Sequence, residues 1–324
     1  MSELGLGTAA LGALYEPVDD AAATSTIGAA LAAEIGYYDT APFYGFGLAE
    51  RRTGDALRGR TGVVVSTKVG RLLHPARDAD TGAVRHGFRS PMPFEPRFDY
   101  THDGVLRSHE DSLQRLGLAR VGVLLVHDIG PLTHGPNAAR HMDELIDGGG
   151  FRALARLRDQ GVIDAIGLGV NEVDVCLDLI GRVPLDMILL AGRYTLLEQG
   201  ALHAFFPACA AAGVSVVVGG PYNSGILAGA PGEGGCYDYG RAPAEVVARV
   251  EALRAVCMRH DVPLPAAALQ FVLAHPHVAS IIPGARTADE VERNVAHYRT
   301  DIPAALWRDL RDAGLLAGGA PVPA

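Results

Sequence analysis

Two hydrophobic patterns alternate along the chain. Runs that are apolar or β-branched at nearly every position recur at residues 4–12, 37–41, 63–69, 121–127, 163–170, 187–192, 214–220 and 278–284. Between them, apolar residues return every three or four positions, as in Phe151, Leu154 and Leu157, or in Val105, Leu106, His109, Leu113 and Leu116. Unbroken runs suit strands buried on both faces, and the wider spacing suits helices with one apolar stripe. Several helical segments open with Asp or Thr and close with Gly, the expected boundary residues. Eight such strand and helix alternations predict an α/β fold, a single-domain (β/α)8 TIM barrel over residues 1–318.

A doubly wound dinucleotide-binding sheet would carry GxGxxG at its first strand-to-helix turn, and Gly5, Gly7 and Gly12 have the wrong spacing for it. Two segments are longer than ordinary connections: residues 71–102, rich in Pro, Arg and His, and residues 221–243, rich in Gly and Tyr. Long loops after barrel strands lie over the active-site mouth, so both are candidate substrate-binding loops. The tail, residues 319–324, reads as disordered.

Composition narrows the function classes. Apolar residues make up 48% of the chain and charged residues 20%, which argues for an ordered globular protein. The formal charge of -9 and the lack of a basic cluster argue against a nucleic-acid partner. No apolar run reaches membrane-spanning length, and the N-terminal residues lack a signal-peptide pattern, so a cytoplasmic protein with no membrane partner is expected. Cys176, Cys209, Cys236 and Cys257 show no metal-ligand spacing and read as free thiols, with no metal site expected.

Among 28 basic residues, only Lys68 is a lysine. It ends an apolar strand run, where a buried ammonium is costly unless paired. Other strand runs end near Asp39 and His127, and Tyr44 follows Asp39 closely. Barrel enzymes place reactive groups at such strand ends. Asp39 could hold the Lys68 ammonium, the cation could lower the pKa of the Tyr44 phenol, and His127 could orient a substrate oxygen. This is a proton-transfer site that needs a redox partner.

The segments DTAPFYGFGLAERRTGDAL (39–57), STKVG (66–70), LLVHD (124–128), GLGVNE (167–172) and IIPGARTADEVERN (281–294) make the chain resemble the aldo-keto reductases over nearly its whole length. The resemblance implies a catalytic tetrad of Asp39, Tyr44, Lys68 and His127. It also implies a nicotinamide dinucleotide lying across the barrel mouth without a Rossmann motif. Asn171 matches the residue that binds the nicotinamide carboxamide, while the glutamine many members use beside it is replaced here by the Ala191–Gly192–Arg193 neighbourhood. Gly220, Pro221, Asn223, Ser224 and Gly225 match the segment that wraps the pyrophosphate, with Gly220 at the position that stacks on nicotinamide. Asn294 matches the adenine-binding asparagine. Gly284 and Glu290 stand where NADP-specific members carry cations, and a glutamate repels a 2'-phosphate but accepts from a ribose hydroxyl. NAD is therefore favoured, with Arg286 keeping NADP open.

Within the family the chain is similar to the branch holding D-threo-aldose 1-dehydrogenase and pyridoxal 4-dehydrogenase. That similarity implies oxidation of a cyclic hemiacetal to a lactone. An aldose of the L-fucose, L-galactose or D-arabinose type is the favoured small-molecule substrate, pyridoxal the alternative, and a nucleotide-binding redox sensor a third reading. Tyr15, Phe46, Phe94, Asp128 and Tyr222 are candidate substrate contacts, and Met92, Tyr194 and His134 are further possible lining residues.

Overall fold

The structure is a computed structural model describing residues 1–229 and 235–323. Eight parallel strands form one sheet: β1 (Leu6–Gly7), β2 (Tyr37–Asp39), β3 (Val64–Val69), β4 (Val123–His127), β5 (Ala165–Val170), β6 (Met187–Ala191), β7 (Ser215–Gly219) and β8 (Val278–Ile282). Each pairs with its sequence neighbour, and the Gly5 amide donating to the Ile281 carbonyl at 2.8 Å joins the first strand to the last. The expected barrel is present. The first run contributes only Leu6–Gly7 to the sheet, because Ala9–Gly12 turns into a 3-10 helix.

Two apolar layers follow from the side-chain alternation. Tyr37, Val123, Leu125, Met187, Leu189, Val217 and Ile282 fill the barrel interior. The opposite faces of the strands, such as Tyr38, Val65, Leu124 and Val126, pack under the surrounding helices. Helix boundaries follow side-chain chemistry: Asp19 caps Asp20–Ala32, Thr101 caps His102–Leu116, and Thr287 caps Ala288–Tyr298. Gly117, at φ +61°, ends His102–Leu116 in the left-handed conformation that glycine accepts without penalty.

Both long loops contain structure that periodicity did not reveal. Residues 71–102 hold an antiparallel hairpin, Arg71–Pro75 with Phe94–Phe98. Residues 221–243 hold a second, Cys236–Tyr237 with Gly240–Arg241, while residues 230–234 lie outside the described residues. Ala320 is buried, and its carbonyl accepts a hydrogen bond from Arg311 at 3.2 Å, so residues 319–323 follow the barrel surface; Ala324 lies outside the described residues. Cys176, Cys209 and Cys257 are buried, Cys236 is exposed, and all four are free thiols. No described helix is long and apolar enough to cross a membrane.

Helix Leu48–Leu57 follows the turn bearing Tyr44 and packs tightly on its neighbour His102–Leu116. A Cβ at Gly54 would lie 1.7 Å from the Leu116 carbonyl oxygen, a backbone atom with little room to yield. Gly54→Ala should therefore destabilise the protein by about 1–3 kcal/mol. Urea unfolding followed by circular dichroism checks this, and an unchanged midpoint would refute the close helix contact.

Candidate active site

Strand register assembles the reactive residues. Asp39 lies opposite Ser66 across β2 and β3, and Lys68 lies opposite Leu125 across β3 and β4. With side chains alternating between faces, Tyr37 and Asp39, Ser66 and Lys68, and Leu125 and His127 form three inward columns. Tyr37 and Leu125 belong to the inner apolar cluster. One step further along each column, the C-terminal mouth of the barrel receives Asp39, Lys68 and His127.

The Lys68 ammonium donates to Asp39 Oδ2 at 2.7 Å and to the Thr40 carbonyl at 2.9 Å. Asp39 Oδ1 accepts from Ser66 Oγ at 2.7 Å, and that hydroxyl lies 2.9 Å from Tyr37 Oη. Both charged side chains are only 2% exposed, so each charge is compensated almost entirely by protein groups. Gly169 on β5 makes room for the lysine, since a Cβ there would lie 2.9 Å from Lys68 Cε. Tyr44 comes from the turn after β2, which crosses the Ala9–Gly12 turn at very short range. A Cβ at Gly12 would stand 2.6 Å from the Tyr44 carbonyl carbon, and one at Gly45 2.3 Å from the Gly12 oxygen. The Tyr44 ring centroid lies 4.8 Å from Lys68 Nζ and 5.8 Å from the His127 ring, which stands edge-on to it.

The electrostatics differ from the sequence expectation at one point. Burial, then the nearby Asp39 carboxylate, raises the Tyr44 phenol well above its ordinary pKa, and the cation opposing this is Arg71. Burial, with Arg71 and Lys68 adding to it, holds the His127 pKa well below its ordinary value, so the ring is neutral near pH 7. His127 Nδ1 has no hydrogen-bond partner among the described residues.

Sequence reasoning missed Arg71. Its guanidinium is buried, donates to Asp128 Oδ2 at 2.6 Å and lies 4.0 Å from the Phe43 ring centroid. An arginine directly after STKVG, opening an apolar pair, was the available signal. Asp128 sits beside His127 with φ +43°, an uncommon conformation for aspartate, and burial raises its carboxyl pKa against the opposing effect of Arg71. Tyr100 supports this corner. Its hydroxyl donates to the His127 carbonyl at 2.7 Å, and its ring covers Gly70, where a Cβ would lie 2.1 Å from the ring.

Tyr44 and Asp39 border a cleft of about 670 Å³. Asn171, Ala191 and Gly192 share its wall with Gly220, Pro221, Asn223, Ser224 and Gly225, and with Gly284, Arg286, Glu290 and Asn294. All ten residues expected to hold a dinucleotide thus border one cavity. At Gly225, left-handed backbone leaves open space where a side chain would stand, and at Gly220, also left-handed, a Cβ would meet only the Gly192 nitrogen, at 3.7 Å. Arg193 clasps the Asn171 carbonyl at 2.7 Å. Asn223 has a structural duty as well, since its amide donates to the Gly192 carbonyl at 3.1 Å and its oxygen accepts from Thr195.

The predicted substrate contacts separate. Tyr15 borders the cleft, and Asp128 adjoins His127. Phe46 is a correction: it is fully buried, with its ring against Phe88 and His86 and Arg85 over it, forming a wall behind the Tyr44 turn. Phe94 pairs with Pro75 in the outer hairpin and does not border the cleft. Tyr222 does border it, and its hydroxyl donates to Asn294 Oδ1 at 2.9 Å. Tyr194 is core, packed on Phe206 and Phe271.

Comparisons with known proteins agree with this geometry. Residues 3–313 match the aldo/keto reductase family. The chain is 43% identical to a pyridoxal 4-dehydrogenase of Microbacterium luteolum, with 98% of this chain and 95% of that protein aligned. It is 39% identical to a D-threo-aldose 1-dehydrogenase of a Pseudomonas species, with 97% and 94% aligned. Among solved structures, the holo form of an aldo-keto reductase from Bacillus halodurans superposes with a TM-score of 0.74 at 28% identity, over 98% of this chain and 93% of that one. With the barrel, the strand-end cluster and near-complete coverage in agreement, the chain belongs to the aldo/keto reductase family.

Proposed function

We propose that the protein oxidises the ring carbon of a cyclic hemiacetal to a lactone, with Asp39, Tyr44, Lys68 and His127 as the reacting set. The observation that carries this reading is the buried Lys68–Asp39 pair beneath a phenol and a neutral imidazole beside a dinucleotide-sized cleft. Membership of the family implies a nicotinamide cofactor, which supplies the hydride acceptor when bound in its oxidised form. Tyr44, as phenolate, removes the hemiacetal hydroxyl proton. The neutral His127 hydrogen-bonds the same oxygen and fixes its direction, and Asp39 keeps Lys68 under the phenol ring.

The favoured substrate is an aldose such as L-fucose, L-galactose or D-arabinose. Pyridoxal is the second reading, supported by the 43% relative and by the aromatic face of Phe43 beside Arg71. Purified protein mixed with NAD and each of these compounds should produce NADH with at least one of them, read from absorbance. NADH binding without any turnover would favour the redox-sensor reading instead.

NAD is the preferred cofactor on the geometry around Arg286. Glu290 accepts from the Arg286 amide at 2.7 Å and from its guanidinium at 3.2 Å, while Glu16 holds the same guanidinium at 3.1 Å. Two carboxylates therefore engage Arg286, one of the two arginines that border the cleft there. Glu290→Arg should shift the NADP-to-NAD ratio of kcat/KM by about tenfold or more, the scale of one charge-assisted hydrogen bond. Unchanged selectivity would remove this argument.

Two further outcomes follow from the assignment of Tyr44. Tyr44→Phe should lower kcat by about 10²–10⁴-fold while NADH titration shows retained binding. Wild-type turnover in that variant would refute the proton-transfer role. Because the phenol pKa is raised above 10 and His127 stays neutral, kcat/KM for oxidation should climb with pH from 7 to 9 as the phenolate fraction grows. A plateau reached near pH 7 would contradict a Tyr44 base.

A further inference from the structure

The hairpin Cys236–Arg241 brings a residue to the cleft that neither the tetrad nor the cofactor segment includes. Its two-residue turn, Asp238 and Tyr239, has positive φ at both positions, +49° and +64°. Asn-Gly is the pair that such a turn favours, and a bulky aromatic at the second position is disfavoured. Several contacts hold the unfavourable tip in place. Asp238 pairs with Arg193 at 3.0 Å, the arginine that also clasps the Asn171 carbonyl, and the Tyr239 amide donates to Ser224 Oγ at 3.2 Å. A strained residue kept by surrounding contacts points to a use for its side chain.

The direction of that side chain indicates the use. Tyr239 is 59% exposed overall, yet it borders the same cleft as Tyr44 and Asp39, and its hydroxyl lies 3.2 Å from Asn171 Nδ2. In that bond Asn171 donates and the tyrosine oxygen accepts, which leaves the tyrosine's own proton free to donate. Burial of the hydroxyl raises its pKa, so the group remains a neutral donor, and both Asp128 and Tyr44 are near enough to interact with it electrostatically.

We propose that Tyr239 is a substrate-contacting residue: oriented by Asn171, its hydroxyl donates to a ring or hydroxyl oxygen of the cyclic hemiacetal held between the hairpin tip and Tyr44. The inference rests on the hemiacetal-dehydrogenase reading and adds to it a group supplied by the mouth loop, opposite the strand-end residues. Since the bond exists in ground and transition states alike, its loss should appear mainly in KM.

The test uses the full-length protein and the panel compound that wild type turns over best. Tyr239→Phe should raise the substrate KM about five- to tenfold, with a smaller change in kcat and an NADH Kd, from cofactor fluorescence, within about twofold of wild type. Tyr237→Phe is the control, because it removes the hydroxyl that donates to Glu198 and so loosens the same hairpin at a different point. It should leave the substrate KM within about twofold. An unchanged KM in Tyr239→Phe, an equal rise in Tyr237→Phe, or an effect confined to NADH affinity would each overturn the contact while leaving the dehydrogenase reading intact. If wild type binds NADH but oxidises no hemiacetal, the dehydrogenase reading fails and this assignment fails with it.

Discussion

The site depends on one buried ion pair. Placing Lys68 and Asp39 side by side at 2% exposure removes both charges from water, a loss of several kcal/mol per ion that only close pairing and complete hydrogen bonding can offset. The fold meets that condition through register: Asp39 faces Ser66, Lys68 sits two residues beyond Ser66 on the same face, and Gly169 withholds a side chain from the space the lysine needs. The Thr40 carbonyl, Ser66 and Tyr37 complete the shell around the pair. A shift of one residue in either strand would turn the lysine toward the helices and leave the aspartate unpaired.

Above this pair the charges alternate. Arg71 and Asp128 form a second ion pair beside His127, with Tyr100 joining the ends of β3 and β4 through Gly70 and the His127 carbonyl. Burial, reinforced by two fixed cations, keeps the imidazole neutral, while burial and carboxylates keep the Tyr44 phenol protonated. The resting site therefore holds a neutral proton donor and acceptor on a rigid charged base. In the oxidation proposed above, ionisation of Tyr44 is the costly event that the site has to support. Elsewhere along the cleft the same economy of charge recurs, with Arg286 shared by Glu16 and Glu290.

Much of this was legible in the chain because strand periodicity carries position. Eight apolar runs predicted the eight strands, and the polar residues closing the second, third and fourth runs had to project from the barrel mouth. The one lysine at the end of such a run needed a partner, and Asp39 on the next strand was the available carboxylate. Less legible were features that depend on loops. The hairpins at Arg71–Pro75 and Cys236–Arg241 are short and weakly patterned, so Arg71 and Tyr239 could not be aimed at the site in advance. Phe46 illustrates a related point: proximity in sequence to Tyr44 says little about direction, and its ring packs on Phe88 away from the cleft. The influence of Arg71 on Tyr44 was not foreseen either, because it depends on where the chain turns after β3.

The most direct test of the account is the replacement of the single lysine by the cation used everywhere else in the chain, Lys68→Arg. A guanidinium keeps the charge but is too large and planar for the space bounded by Gly169, Asp39 and Thr40. The variant should retain NADH binding within about threefold and lose at least about 100-fold in kcat for hemiacetal oxidation, the scale of losing a positioned proton-transfer group. Turnover equal to wild type would contradict the claim that a compact, Asp39-paired ammonium supports Tyr44.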